Sequence, residues 1–317
     1  MITLGAFSLA LPSAAAATLG LPLYVLAAVL PAVGVVSYAL GNTGLSRQGV
    51  ASRMAYGGCV ATSIAMVIEL ALMIALAAMA FVALSSTPDG RAAVDQALEA
   101  LSSAAAVEGT QAAAEQAVMD QLTELLRQPV ALVSAFALLG FLGPLVEELA
   151  KVGVVAARVP ERRARAWLWG VSSGAGFGVV EALALSTMAM QAWPLSMTLR
   201  AGATMMHAAT AGIAALGAYA LAHERRYGAA IGGLAVAVLV HAAWNSLVLT
   251  ATVAGAEASV GVSSVAVAML GGLFTLLAIA FTRLSRSVSE PAMALDAEGE
   301  SRALDIRRDE YGGPLVT

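Results

Sequence analysis

The run from Val130 to Val155, VALVSAFALLGFLGPLVEELAKVGVV, is apolar along most of its length yet carries Glu147, Glu148 and Lys151 within five residues. It is long enough for a membrane-crossing helix, which needs about 20 mostly apolar residues. An ionisable group at bilayer depth costs about 2.5 to 3.5 kcal/mol on insertion scales, so charges placed here mark a functional site with partners on other helices. Lys151 is the chain's only lysine.

The surrounding sequence is of the same character. Of 317 residues, 59% are hydrophobic and 12% charged, with a mean hydropathy of +0.82, far from soluble averages. This composition predicts an all-α, polytopic transmembrane bundle with the lipid bilayer as its surroundings. A net charge of -4 offers no basic face for nucleic acid, and the single cysteine, Cys59, excludes an internal disulfide or a cysteine-built zinc site. No Lys or Arg precedes Arg47, so the apolar N-terminus lacks the charged start of a signal peptide and is expected to be retained.

Seven spans are predicted, at roughly 20 to 40, 59 to 83, 129 to 156, 167 to 189, 196 to 222, 228 to 253 and 259 to 282. Residues 3 to 19 are a weak eighth candidate. Together 1 to 282 form the bundle, with a catalytic core at about 129 to 253. Arg47 and Arg53, Arg158 to Arg165, Arg225 and Arg226, and Arg283 and Arg286 fall in alternate loops. By the positive-inside rule those loops are cytoplasmic, which puts the N-terminus outside and the C-terminus inside. The opposite loops hold only Arg91, Arg127 and Arg200. An Ala- and Gln-rich insertion at 85 to 128 reads as one or two amphipathic helices outside the membrane. The tail at 283 to 317 is short on apolar residues and is expected to be disordered.

Depth decides which intramembrane polar groups share a site. At 1.5 Å per residue from the cytoplasmic end, Glu147 lies at roughly 14 Å, Glu181 at about 21 Å, His207 at about 22 Å and His241 at about 20 Å. Four helices thus bring carboxylates and imidazoles to one layer. Lys151 lies on the face of both glutamates, and His241 and Asn245 are likewise four apart. Gly170, Gly174 and Gly178 form a ridge that lets a neighbouring backbone come close. Pro144 should free the carbonyl of Gly140 and kink the span just ahead of the glutamates. Glu69 has no motif around it and reads as structural or lining an access path, and His223 as a solvated turn residue.

If Glu147, Glu148 and Glu181 were ionised against Lys151 alone, the site would carry a net charge of -2 in a poorly solvated place. Either carboxyl groups are protonated or a divalent cation is bound. Carboxylate and imidazole ligands suit zinc, with a position left for water, and a glutamate outside the ligand set could take that water's proton. Other protease chemistries fit less well. There is no HExxH, and every aspartate lies outside the spans. Gly170-Val171-Ser172-Ser173-Gly174 matches G-x-S-x-G, but Ser172 is more than about 10 Å short of the histidine layer.

Glu147-Glu148-x-x-Lys151, Gly174-x-x-Phe177-Gly178-x-x-Glu181, the lone His207 and His241-x-x-x-Asn245, in this order, resemble the PrsW-like intramembrane proteases, relatives of the CAAX-processing and bacteriocin-immunity membrane proteins. The resemblance covers about Leu139 to Leu249. It implies cleavage of a single-span membrane protein, in this family an anti-sigma factor. Glu147 or Glu148 would activate water. Glu181, His207 and His241 would bind zinc or orient that water, Asn245 would stabilise the oxyanion, and Lys151 would hold the glutamate pair. From other classes, midplane carboxylates and histidines also suit an ion- or proton-coupled transporter, and a catalytically silent scaffold or immunity protein would keep the same bundle.

Overall fold

The computed structural model describes residues 13–106, 128–186, 193–256 and 260–288. Those residues form eight helices and no strand. They are α1 Ser13–Thr43, α2 Val50–Ser85, α3 Pro88–Ala106, α4 Pro129–Ala156, α5 Arg163–Ser186, α6 Trp193–Glu224, α7 Tyr227–Ala256 and α8 Val260–Ser287. Six of them, α1, α2, α4, α6, α7 and α8, hold stretches long and apolar enough to cross a membrane. Their outward side chains agree with that: Val67, Ile74 and Val82 on α2 and Ile231 on α7 are each more than half exposed in the isolated chain. Such a surface calls for an apolar medium.

The expected elements recur with altered ends. α1 runs unbroken through Pro22 and Pro31, so the stretch from 13 to 19 extends the first helix instead of forming a separate span; residues 1–12 lie outside those described. The insertion supplies α3, which begins at Pro88 with Thr87 Oγ1 accepting the Gly90 amide at 3.1 Å. Its second part, 107–127, and the tail from 289 lie outside the described residues. α8 continues past 283 to Ser287.

α5 is the hub. It packs against α1, α2, α4 and α6, and from Trp167 to Gly178 nearly every side chain on it is buried. Its glycines explain the closeness. A Cβ on Gly174 would strike the carbonyl of His207, and one on Gly178 would sit 2.8 Å from Thr204 Cα. The glycine ridge therefore sets the α5 backbone directly against the turns of α6 that flank His207. On the opposite side a Cβ on Gly176 would strike the carbonyl of Met54. Trp167, Phe281 and Tyr38 close the core around this contact, with the Trp167 and Phe281 rings 5.4 Å apart.

Two helices carry π-helical turns, Tyr56–Ala61 in α2 and Leu138–Leu142 in α4. The second lies just before Pro144, so the chain accommodates the proline's missing N–H with a widened turn. A turn of this kind leaves backbone carbonyls to satisfy. Asn245 on α7 donates to one of them, the Leu139 carbonyl, at 3.1 Å.

Gly174→Val is expected to lower the unfolding midpoint in detergent, by at least the roughly 1 to 3 kcal/mol typical of overpacking, because the atom met is backbone and cannot rotate away. Gly34→Ala, where a Cβ meets nothing within 4 Å, should leave it unchanged.

Candidate functional site

Five helices converge on one buried polar cluster. α4 contributes Glu147, Glu148 and Lys151, α5 Phe177 and Glu181, α6 Arg200, His207 and Thr210, α7 His241 and Asn245, and α2 Glu69. Glu148, Lys151, His207 and His241 are at most 1% exposed and Glu147 is 7% exposed. The four helices chosen by depth do meet at one level.

Lys151 and Glu148 form the centre. The ammonium lies 2.7 Å from Glu148 Oε1, 3.4 Å from Glu147 Oε2 and 2.8 Å from His207 Nδ1, with the Phe177 ring 4.5 Å away on one side. Glu148 Oε1 also accepts from Thr210 Oγ1 at 3.0 Å and His241 Nδ1 at 2.8 Å. One carboxylate oxygen thus takes three donors from three helices. Charge-assisted bonds of this length are the strong ones, so Glu148 is committed to holding α4, α6 and α7 together.

These contacts fix the histidine tautomers. A lysine ammonium only donates, so His207 Nδ1 presents its lone pair to Lys151 and the ring's proton is on Nε2. That N–H points at Glu181 Oε2, 2.5 Å away. In His241 the proton is on Nδ1, given to Glu148, and Nε2 carries the lone pair. Glu147 Oε2 lies 3.7 Å from His241 Nε2 and 3.8 Å from His207 Nδ1. Both separations are too long for direct hydrogen bonds yet leave no room for a water between the atoms, so a water bonded to both would sit beside the gap. Of the adjacent glutamates, Glu148 has Oε1 fully engaged and Oε2 buried without a partner among the described residues, while Glu147 Oε2 is the oxygen that faces both imidazoles.

Glu181 carries the cation that the sequence left unassigned. Arg200 Nη1 donates to Glu181 Oε1 at 3.0 Å. Arg200, counted above with the basic residues of the loops although the expected span from 196 already holds it, lies inside α6, seven residues before His207 on the same face. That spacing was the available signal. Three carboxylates of the motif thus face two cations, Lys151 and Arg200, not one. Glu69 lies beside the cluster as well: its Oε1 would be 3.5 Å from a Cβ added at Gly143 on α4, and that buried oxygen has no partner among the described residues.

A cavity of about 80 Å³ bounded by Glu181, Arg200, His207, Trp244 and Asn245 borders the cluster. Asn245 spends one amide hydrogen on Leu139 and keeps the other for this cavity. Leu199 and Trp244 also line a groove of about 940 Å³ with mostly apolar walls from α1, α6, α7 and α8. An apolar approach thus adjoins a polar chamber.

Zinc can be tested on these donors. Glu147, His207 and His241 place ligand atoms within 4.8 Å of one another, and His241 is backed by Glu148 as metal-binding histidines commonly are. Glu181, expected as a ligand, is outside this group because His207 and Arg200 occupy it. The donor types suit zinc, but the lone pairs do not: His207 Nε2 bears the proton and Nδ1 is held by Lys151. With Lys151 in its seat only Glu147 and His241 are free to coordinate, and a zinc ion on all three residues would require the ammonium to leave His207 Nδ1.

The other sequence candidates sit apart. Ser172 is buried inside α5 and donates to the Leu168 carbonyl at 2.7 Å, so its G-x-S-x-G is helix and not a strained elbow. His223 stacks on Tyr219 with ring centroids 4.8 Å apart, beside the exposed Glu224–Arg226 pair.

The two adjacent glutamates should separate in stability. Glu148→Leu leaves the Lys151 ammonium without its closest partner and is expected to destabilise the protein by about 3 to 5 kcal/mol. Glu147→Gln removes no short hydrogen bond and should change stability by less than about 1 kcal/mol. Denaturant unfolding in micelles measures both.

No protein-family model, curated protein or solved structure matches the chain, and what the site can do is a matter of its own geometry.

Proposed function

We propose that the chain is an intramembrane endopeptidase of the PrsW-like type that hydrolyses a peptide bond in a single-span membrane protein, with Glu147 as the base. The observation that carries this reading is the contrast between neighbours: Glu148 Oε1 takes three short hydrogen bonds and its Oε2 is buried without a partner among the described residues, whereas Glu147 Oε2 accepts only a long one, from Lys151, and faces two imidazoles. A carboxylate so placed can take a proton from water, and an ideal general base is one held within hydrogen-bond reach of its substrate. A water between Glu147 Oε2 and His241 Nε2 would lose a proton to Glu147 as its oxygen bonds to the scissile carbonyl carbon. Asn245 would donate to the carbonyl oxygen as charge develops there. Glu147 would then pass the proton to the departing amine, and the C–N bond would break.

Lys151 provides the fixed positive charge of the site, in the seat a metal would need. A zinc ion held by Glu147, His207 and His241 would polarise the carbonyl and acidify water, at the cost of displacing Lys151. The apolar groove beside Trp244 supports a membrane-embedded substrate segment as the ligand, and the resemblance of the motifs supports an anti-sigma factor as its class.

We read α5 as a seventh span: its 24 residues reach about 36 Å at 1.5 Å per residue, and its many buried glycines and serines lower its hydropathy without exposing it. The N-terminus is assigned outside and the C-terminus to the cytoplasm. In support, Arg53, Arg158 and Arg165 line one cavity and Arg163, Arg226 and Leu284 another, so the arginine-bearing loops share one end of the bundle.

Membranes holding the wild-type chain should yield, by terminal-peptide mass spectrometry, new protein ends within single-span segments, and Glu147→Gln should abolish them while leaving the protein folded. Identical termini from both would overturn the reading. Asn245→Ala should slow cleavage by about 10²- to 10³-fold, the usual loss of one oxyanion donor. Purified wild type should hold little zinc, and Lys151→Met should raise the zinc content by freeing His207 Nδ1. Stoichiometric zinc in the wild type, lost in His207→Ala, would instead assign the positive charge to a metal.

A further inference from the structure

At the arginine-rich end of the bundle, the turn between α1 and α2 and the turn between α4 and α5 enclose a cavity of about 520 Å³. Four arginines, Arg53, Arg158, Arg162 and Arg165, line it against one carboxylate, Glu161, an excess of three positive charges among the lining residues. Neighbouring guanidinium groups repel one another, so the first turns of α2 and α5 hold a concentrated charge that an anion would relieve.

The local geometry shapes this charge into a receptor. Gly49, with φ of 82°, turns the chain into α2 and lies against the Trp169 indole, whose Nε1 would be 3.2 Å from an added Cβ. The Arg53 guanidinium carbon lies 4.0 Å over the Trp169 ring, which fixes the otherwise flexible arginine in place. Two donors here are buried and unsatisfied among the described residues, Arg53 Nε and Trp169 Nε1. A buried donor without a partner costs about 1 to 3 kcal/mol, and a pair of them beside one cavity points to an acceptor that belongs there. Arg165 spends only a long bond of 3.4 Å on the Gln48 carbonyl, and Arg158 is exposed at the rim.

We infer that this cavity binds a phosphate group, its oxygens taking hydrogen bonds from Arg53 and the Trp169 indole with Arg158 and Arg165 closing over it. Arginine forks match the geometry of phosphate oxygens, and basic pockets between membrane helices accept phospholipid headgroups. The inference does not rest on peptidase activity. A phosphodiester headgroup of an anionic lipid and a free phosphate share this chemistry, and the two are separable by experiment.

The full chain is placed in nanodiscs of phosphatidylcholine alone or with phosphatidylglycerol, and retained lipid is counted by native mass spectrometry. Wild type should keep a phosphatidylglycerol through delipidation, and Arg53→Gln should lower that retention by about tenfold, in line with the loss of a charged contact. Arg158→Glu, at an exposed position that cannot impair folding, serves as the second variant and should lower retention as well. Retention that survives millimolar inorganic phosphate assigns the headgroup. Phosphate that binds in phosphatidylcholine discs, read by a fluorescence change absent in Trp169→Phe, and that displaces the lipid assigns the free anion. Retention and phosphate binding unchanged in both arginine variants would overturn the site.

Discussion

A lysine ammonium with no exposure to solvent is the constraint on which the rest of this structure depends. Left alone in such a place, a charge of this kind costs several kcal/mol even after relaxation. Lys151 persists because four helices contribute to its surroundings: Glu148 and Glu147 from its own, His207 from α6, Phe177 from α5, and, through Glu148, Thr210 and His241 from α6 and α7. Each helix must hold its register for the charge to be tolerated. The polar cluster therefore does two jobs, fixing the packing of the bundle and leaving one carboxylate, Glu147, with capacity that packing does not use.

The glycine ridge of α5 and the buried ion cluster are two sides of the same arrangement. A side chain at Gly174 or Gly178 would push α6 outward and with it His207, whose Nδ1 must come within 2.8 Å of the ammonium. In a bilayer there is no hydrophobic drive between helices to restore the contact. Close backbone approach by small residues is what lets the two imidazoles stand 4.8 Å apart edge to face around a common carboxylate. The π-helical turn at Leu138–Leu142 plays a matching part on α4. It lies just ahead of Pro144, whose missing N–H it accommodates, and is tied to α7 through Asn245, so the residue best placed to donate into the cavity also anchors the wall that carries Glu147.

Much of this was legible before any coordinates, and for a definable reason. Charged residues in apolar spans stand out against their background, so Glu147, Glu148, Lys151, Glu181, His207 and His241 could be found one by one, and a constant rise per residue was enough to put them at one depth. What depth cannot give is rotation about the helix axis and the direction of a side chain. Height alone made Glu181 a zinc ligand alongside the histidines, yet its two oxygens turn to Arg200 and His207, while Glu147 is the carboxylate that faces both imidazoles. Thr210 was invisible because a threonine in a helix ordinarily bonds its own backbone. Arg200 was misplaced because a basic residue near a span's end reads as a loop anchor, although its long side chain reaches inward to a carboxylate.

That misplacement bears on the metal question more than any ligand distance does. The case for a divalent cation rested on three carboxylates sharing one lysine. With Arg200 on Glu181 the three glutamates meet two permanent cations, leaving a single excess negative charge, half the excess on which that case was built. Glu69 adds a fourth carboxyl group beside the cluster from α2, the least buried of the six candidate spans. Counting it, four carboxyl groups meet two cations, and one proton held on Glu69 would return the excess to a single negative charge without a metal. The otherwise motif-free Glu69 thus belongs to the charge balance of the cluster, and the count by itself does not call for a divalent cation.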